Sequence, residues 1–268
     1  METHEVQYLV FDVESVADGA LIRRVRYPQD EMEPAEAVAR FRADLLAETG
    51  KDFIPHTFQV PISVVIAKVA ADLSLIDVVP LDEPQFRPHV LTRDFWKGWK
   101  AYRRPTWVTF NGRSFDLPLM ELAAFRYGIS VPDWFAQASK LRNRYNTAAH
   151  LDLHELLTNF NATWFRGGLN LAANLLGKPG KMAVQGHMVQ DLFEQGAVQR
   201  INDYCCCDVL DTYFVFLRAK LLMGQIDRQR EGELVEHTRG WLEERRDLRL
   251  GFAEYLDQWG DWNDPWDD

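Results

Sequence analysis

Three groups of residues have the types and spacing to do chemistry. Asp12 and Glu14 stand two apart at the end of an apolar run, Tyr8-Leu9-Val10-Phe11-Asp12-Val13-Glu14. On a strand, residues two apart share a face, so both carboxylates enter one small site while Val13 turns away. Like charges that close repel, and a divalent cation between them relieves the repulsion. The second group is Asn111-Gly112-Arg113-Ser114-Phe115-Asp116, where a strand passes through a tight turn into a helix. The third is Tyr204-Cys205-Cys206-Cys207-Asp208, whose hydroxyl and carboxylate, four apart on a helix, reach the same place. Taken alone, each group also has a plain structural reading: a strand running into a polar loop, a helix cap or first-turn acid, a packed tyrosine beside an exposed acid. Asp152, after a short strand, is a minor candidate of the same kind. Asp211 lies near the Tyr204 face and reads as a residue that holds its helix in place.

These groups need elements to position them. A strand ends near Glu14, where the alternation stops, and Asp18-Gly19 marks a turn or loop. A helical insertion follows at about 19–52, with Pro34 in the first turn of a helix and Gly50 at its end. Arg23, Arg24, Arg26, Arg40 and Arg42 of this insertion suit either a phosphate track or a solvated face. Residues 61–70 and 73–79 read as strands paired with the first. Thr92 is expected to cap a helix reaching Tyr102, with Phe95, Trp96, Trp99 and Tyr102 as a packed aromatic face. A strand at 105–110 and a helix at 115–127 flank the second acidic group, at the strand-to-helix edge where ligands of open α/β sheets collect. Short helices are expected at 168–176 and 186–195 around Gly177-Lys178-Pro179-Gly180-Lys181, which lacks the ending of a P-loop. A long helix covers 198–223, and charged helical sequence covers 226–258.

Composition sets the outer limits. A chain of 268 residues with 47% hydrophobic content can bury one sizeable core, here an α/β domain over 1–225, with 226–268 as a helical extension and acidic Trp-rich tail. It has no apolar run long enough to span a membrane, and Met1-Glu2-Thr3-His4-Glu5 is not a signal peptide, so a cytoplasmic protein is expected. The three consecutive cysteines suit neither a disulfide framework nor a zinc site, and read as reduced core thiols. A net charge of -10 argues at first against a polyanionic partner, but residues 251–268 hold six acids and no base, leaving -4 on the remainder. Four acids holding two divalent ions bring that body close to neutrality. Trp259, Trp262 and Trp266 sit among acids that repel DNA, so the tail is expected to dock on its own body or a protein partner.

In their order and spacing, D-x-E, N-x-x-x-F-D and Y-x-x-x-D together resemble the 3′–5′ exonucleases of the DEDD superfamily, in the subgroup with a catalytic tyrosine. The chain is especially similar to stand-alone bacterial proteins resembling the exonuclease domain of family B DNA polymerases, over roughly residues 6–222. Leu176 to Lys181 and Asp208-Val209-Leu210-Asp211-Thr212-Tyr213 strengthen that likeness, while the triple cysteine and the tail depart from it. The resemblance implies an RNase H-like α/β fold, a mixed central sheet of about five strands flanked by helices. It implies catalytic Asp12, Glu14, Asp116, Tyr204 and Asp208, with substrate held near Phe11, Asn111 and Phe115. Two cations, Mg²⁺ or Mn²⁺, suit hard oxygen ligands and phosphodiester hydrolysis. Asp12 is expected to bridge them, Glu14 and Asp208 to complete the water-activating site, and Asp116 to serve the second through water. The implied reaction removes nucleoside 5′-monophosphates from 3′ ends of single-stranded DNA. RNA as substrate, or a non-catalytic nucleic-acid-binding or scaffold module, are the alternatives.

Overall fold

Alternation along the first strand divides the molecule into two faces. In the computed structural model, which describes residues 5–180 and 188–266, β1 (Val6–Ala17) sends Leu9, Phe11 and Val13 into one apolar cluster and Val10 into another. The first cluster is closed by α3 (Pro88–Ala101) and α4 (Asp116–Tyr127), and the second by α9 (Val198–Leu222). Asp12 and Glu14 share the parity of Val10, so they face α9. Between β1 and α3 lie α1 (Gly19–Arg26), α2 (Pro34–Thr49), β2 (Gln59–Ala70) and β3 (Leu75–Pro80). After α3 come β4 (Thr106–Thr109), α5 (Pro132–Phe135) beyond α4, β5 (His150–Asp152), α6 (Leu153–Leu157), α7 (Gly168–Asn174) and α8 (Val189–Glu194). Past α9 the chain forms α10 (Arg228–Glu243) and α11 (Leu250–Asp257).

The sheet order is β3-β2-β1-β4-β5, with β2 antiparallel to both β1 and β3, and β1, β4 and β5 parallel. This is the mixed five-strand sheet flanked by helices expected of an RNase H-like exonuclease fold. Its parallel half matters most: strands that run the same way deliver their C-terminal ends to one edge, so Asp12 and Glu14 within β1, Asp116 beyond β4 and Asp152 at the end of β5 come to that edge. A register shift between Glu14 and Ser15 bends the β1–β2 ladder beside those acids, and β1 continues to Ala17 past the point where alternation stops.

Several local expectations change. Asp18 does not open a loop; its carboxylate accepts from the Leu21 N–H and caps α1. The third helix begins at Pro88, so Thr92 lies inside it and its hydroxyl donates back to the Pro88 carbonyl. Phe95, Trp96 and Trp99 are buried as an aromatic face, with Trp96 edge-on to the other two and with Phe95 and Trp99 stacked on Trp107, but Tyr102 is 38% exposed at the helix end beneath the Lys68 ammonium. Of the insertion's arginines, Arg40 pairs with Asp30 and stacks on Tyr27, Arg26 lies over Phe41, and Arg23 donates to the Met32 carbonyl. The expected helix at 186–195 begins among residues 181–187, which lie outside the described residues, as does Lys181; its described part is α8.

Residues after 225 belong to the main core rather than lying beside it. Leu234, Trp241, Leu242, Phe252 and Tyr255 join the α9 cluster. The tail docks on the body through Lys178, which is 4% exposed, donates to the Gly260 carbonyl at 2.8 Å and sits 3.8 Å from the Trp259 ring centre. A Cβ on Gly177 would stand 2.4 Å from the Asp261 carbonyl, so the two backbones touch where no side chain fits. Arg218 covers Trp262 and Arg228 pairs with Asp264, while Trp266 is 74% exposed. Replacing Trp259 with Ala therefore strips cover from a buried ammonium as well as apolar area. The expected loss is about 3 kcal/mol, read as a lowered urea midpoint with unchanged slope; an unchanged midpoint would mean that tail docking adds no stability.

Candidate active site

At the C-terminal edge of the parallel strands lies a cleft of about 760 Å³ whose floor carries Asp12, Glu14, Asp116 and Asp208. Asp12, Glu14 and Asp208 each bring a carboxylate oxygen within 4.8 Å of the others. They come from opposite ends of the chain and meet because α9 packs across β1. The Cys205 thiol donates to Asp12 Oδ2 at 3.5 Å, and Ser63 of β2 donates to Asn202 at 2.8 Å, which fixes the helix against the sheet. Asp116 lines the same cleft from the first turn of α4, 7% exposed and outside that trio. Tyr204 shares the Asp208 face of α9 and hydrogen-bonds its carboxylate.

The electrostatics of the floor are set by burial and by carboxylates facing one another. Burial first, then repulsion from Asp116, pushes the Asp12 carboxyl up to about 8. Burial followed by the charges of Asp12, Asp208 and Asp116 holds Glu14 well above the usual carboxylate range. Asp116 rises to about 7, chiefly through burial and to a lesser degree through Asp152 and Asp208. Burial, then the neighbouring Asp208 and Glu14, keep the Tyr204 phenol protonated, so it acts as a neutral donor. Hard oxygen donors converging at this distance in a partly desolvated floor fit a divalent cation, which would take the place of the protons that burial favours on Asp12 and Glu14.

Asp152 turns out to be scaffolding. Its carboxylate accepts from the backbone N–H groups of Asn111 at 2.9 Å and Arg113 at 2.8 Å, and from those of His154 and Glu155. One side chain thus caps α6 and ties down the turn that carries Asp116, where Asn111 adopts φ 67°. Glu155 braces the same turn through Arg113 at 2.8 Å and Arg144 at 2.7 Å. Asp211 is fully buried, accepts from the Tyr255 hydroxyl at 2.7 Å and anchors α11, in keeping with a holding role.

The expected substrate residues divide. Asn111 and Phe115 line the cleft. Phe11 does not: its side chain is 1% exposed and packs edge-on against Phe95 and Trp107 on the opposite face of the sheet. The same alternation that aims Asp12 into the cleft aims Phe11 away from it. Missing from the sequence reading was Phe53, on the strand-ward side of the insertion, 63% exposed with its ring centre 5.8 Å from that of Phe115. Arg42 also lines this wall, the one basic residue of the five that does so.

A mixed sheet flanked by helices, with carboxylates gathered at its parallel edge, is consistent with an RNase H-like exonuclease fold. Residues 51–259 match the family described as predicted 3′–5′ exonucleases related to the exonuclease domain of PolB, and the chain belongs to that family. No curated protein matches the chain. The match includes Asn111, Asp116, Tyr204 and Asp208 and begins after Asp12 and Glu14, which geometry brings to them. It also runs through α10 and α11, past the expected limit near residue 222, as their share in the core requires.

A carboxyl with a higher pKa folded than unfolded favours the folded state at acid pH, and that contribution is lost as pH rises toward the folded value. For Asp12 and Asp116 the loss runs from about pH 4 to about pH 8. Mn²⁺, binding the ionised trio, should therefore raise Tm more at pH 8 than at pH 5.5, and Asp12→Asn should remove most of the increment. Thermal melts with and without Mn²⁺ measure this; an equal increment at both pH values would contradict a carboxylate-held cation.

Proposed function

We propose that the protein is a Mg²⁺- or Mn²⁺-dependent 3′–5′ exonuclease of the tyrosine type, releasing nucleoside 5′-monophosphates from single-stranded DNA. The observation that carries this reading is the convergence of Asp12, Glu14 and Asp208, with Tyr204 bonded to Asp208 and Asp116 across the same cleft, in a chain of this family. When bound, two divalent cations supply charge neutralisation at the phosphodiester, an activated water and stabilisation of the leaving 3′-oxygen. Asp12 would serve both, Glu14 and Asp208 the water-activating position, and Asp116 the other.

The remaining work falls to the protein's own groups. Tyr204, neutral and fixed by Asp208, orients the attacking water rather than removing its proton. Phe115 and Phe53 offer ring faces to the terminal base, a sequence-tolerant contact that suits an enzyme removing any nucleotide. Arg42 faces the phosphate side of the same wall. DNA is preferred to RNA in this reading, and side-by-side digestion of 5′-labelled DNA and RNA oligomers decides between them.

With a DNA oligomer and saturating Mg²⁺, Asp12→Ala should abolish cleavage and Asp208→Asn should fall close to it. Tyr204→Phe keeps the ring but loses one oriented hydrogen bond, and should lower kcat by about 10²-fold with little change in KM. Ladder analysis of the products, after circular dichroism of each variant, measures this. Native turnover in Asp12→Ala would sink the metal assignment, and absence of any turnover by the wild type with Mn²⁺ would favour the non-catalytic nucleic-acid-binding module.

A further inference from the structure

Trp164 is 90% exposed, more than any other large apolar side chain among the described residues. It is not on a loose segment. Just before it, Asn159, Phe160 and Asn161 hold consecutive φ values of 49°, 56° and 68°, a left-handed run that asparagine tolerates and phenylalanine does not. The strain is held by several bonds: Phe160 N–H to the Glu155 carbonyl at 2.7 Å, Asn161 N–H to Thr158 Oγ1 at 3.1 Å, and Thr163 N–H to the Thr158 carbonyl at 3.1 Å. The Tyr145 ring packs edge-on against Phe160 at 4.9 Å. On the far side, Phe165 is anchored against Phe110, with ring centres 5.9 Å apart. A rigid loop thus presents a bare indole to solvent, at a cost that packing alone does not explain.

Its position gives the indole a use. Gly167, Gly168 and Asn170, three to six residues further on, line a groove of about 390 Å³ that contains Tyr204 and Asp208. Asp208 also borders the main cleft, so groove and cleft are continuous across the carboxylates. Three residues span at most about 10 Å, which keeps Trp164 within that reach of the Gly167 rim of this groove. Arg166, exposed between the indole and the glycines, forms no ion pair among the described residues. An aromatic face beside a guanidinium without an ion pair among the described residues, next to a groove that leads to the carboxylates, is the chemistry of single-stranded nucleic acid: stacking for bases and charge for phosphates.

We infer that Trp164 and Arg166 form a stacking platform for the strand upstream of its 3′ end, entering over the groove at Gly167–Gly168 while the terminal nucleotide occupies the Phe53–Phe115 side. The inference rests on the exonuclease reading, and makes the substrate a single strand several nucleotides long rather than a bare terminus. A protein ligand for Trp164 is the competing occupant, and it leaves oligonucleotide binding independent of the indole.

The test uses the full chain carrying Asp12→Ala, so that oligonucleotide is bound without being consumed, and fluorescence anisotropy of a labelled oligothymidylate of about a dozen nucleotides. Adding Trp164→Ala should weaken binding about tenfold, and Trp164→Phe should restore most of it. Arg166→Gln should flatten the dependence of log Kd on log salt by about one phosphate contact. In the active chain, Trp164→Ala should raise KM for the long oligomer and narrow its advantage over a dinucleotide about tenfold, with kcat little changed. Unaltered binding in Trp164→Ala, or an equal KM penalty for long oligomer and dinucleotide, overturns the platform. Failure of the exonuclease reading shows separately, as absence of turnover in the wild type while the binding comparison still gives its answer.

Discussion

Mutual repulsion among carboxylates is the constraint on which this structure turns. Three oxygens held within 4.8 Å, with a fourth acid in the same cleft, have no reason to gather unless stronger forces place them there. Those forces are apolar and lie behind the site. Val10, Val65 and Val108 of the sheet pack against Val209, Leu210 and Tyr213 of α9, and this burial fixes the approach of Asp208 to Asp12 and Glu14. The helix cannot withdraw to relieve the charge without opening the core. Stability is thus drawn down locally and held globally, the usual bargain of a preorganised site.

Around this constraint, polar groups act as braces. Asp152 ties the turn after β4 to the start of α6, and Glu155 adds two arginines to the same turn. Cys205 sits where a larger or charged side chain would disturb Asp12, and its weak thiol donor touches the carboxylate without competing strongly for it. The insertion has its own small core of Ile22, Tyr27, Ala37, Val38, Phe41 and Ile54, so it projects Phe53 and Arg42 over the cleft as a stiff wall.

Much of this was legible in the sequence, and the exceptions are instructive. Period two and period 3.6 state that Asp12 pairs with Glu14 and Tyr204 with Asp208 on one face, whereas Asp116 was placed with them by its strand-to-helix junction and by the family resemblance. The strands and the long helix followed from the same periodicities. Phe11 was misjudged against that very rule: resemblance assigned it to the substrate, whereas its parity with Leu9 and Val13 sends it into the core. Thr92 and Asp18 were misread because a capping side chain is recognised only once the helix start is known, and Pro88 and Gly19 set those starts. Phe53 and Trp164 carried no signal, since an aromatic in an irregular segment has no period to reveal where it points. Lys178 read as a loop lysine because the groups that bury it, Trp259 and Gly260, lie far along the chain.

That distance has a bearing on how the protein is made. The contact between Cys205 and Asp12 spans 193 residues, so the first acids leave the ribosome long before the helix that completes their site. At about 5–20 residues per second, the interval is roughly 10–40 s. Throughout it, β1 can pair with β2 and then β4, but the α9 face of the sheet stays uncovered and Asp12 and Glu14 remain in water. The repulsion that Asp208 adds at Glu14 is therefore absent from the nascent chain. It arises only when the last quarter of the polypeptide docks, and the cleft takes form as one of the closing events of synthesis.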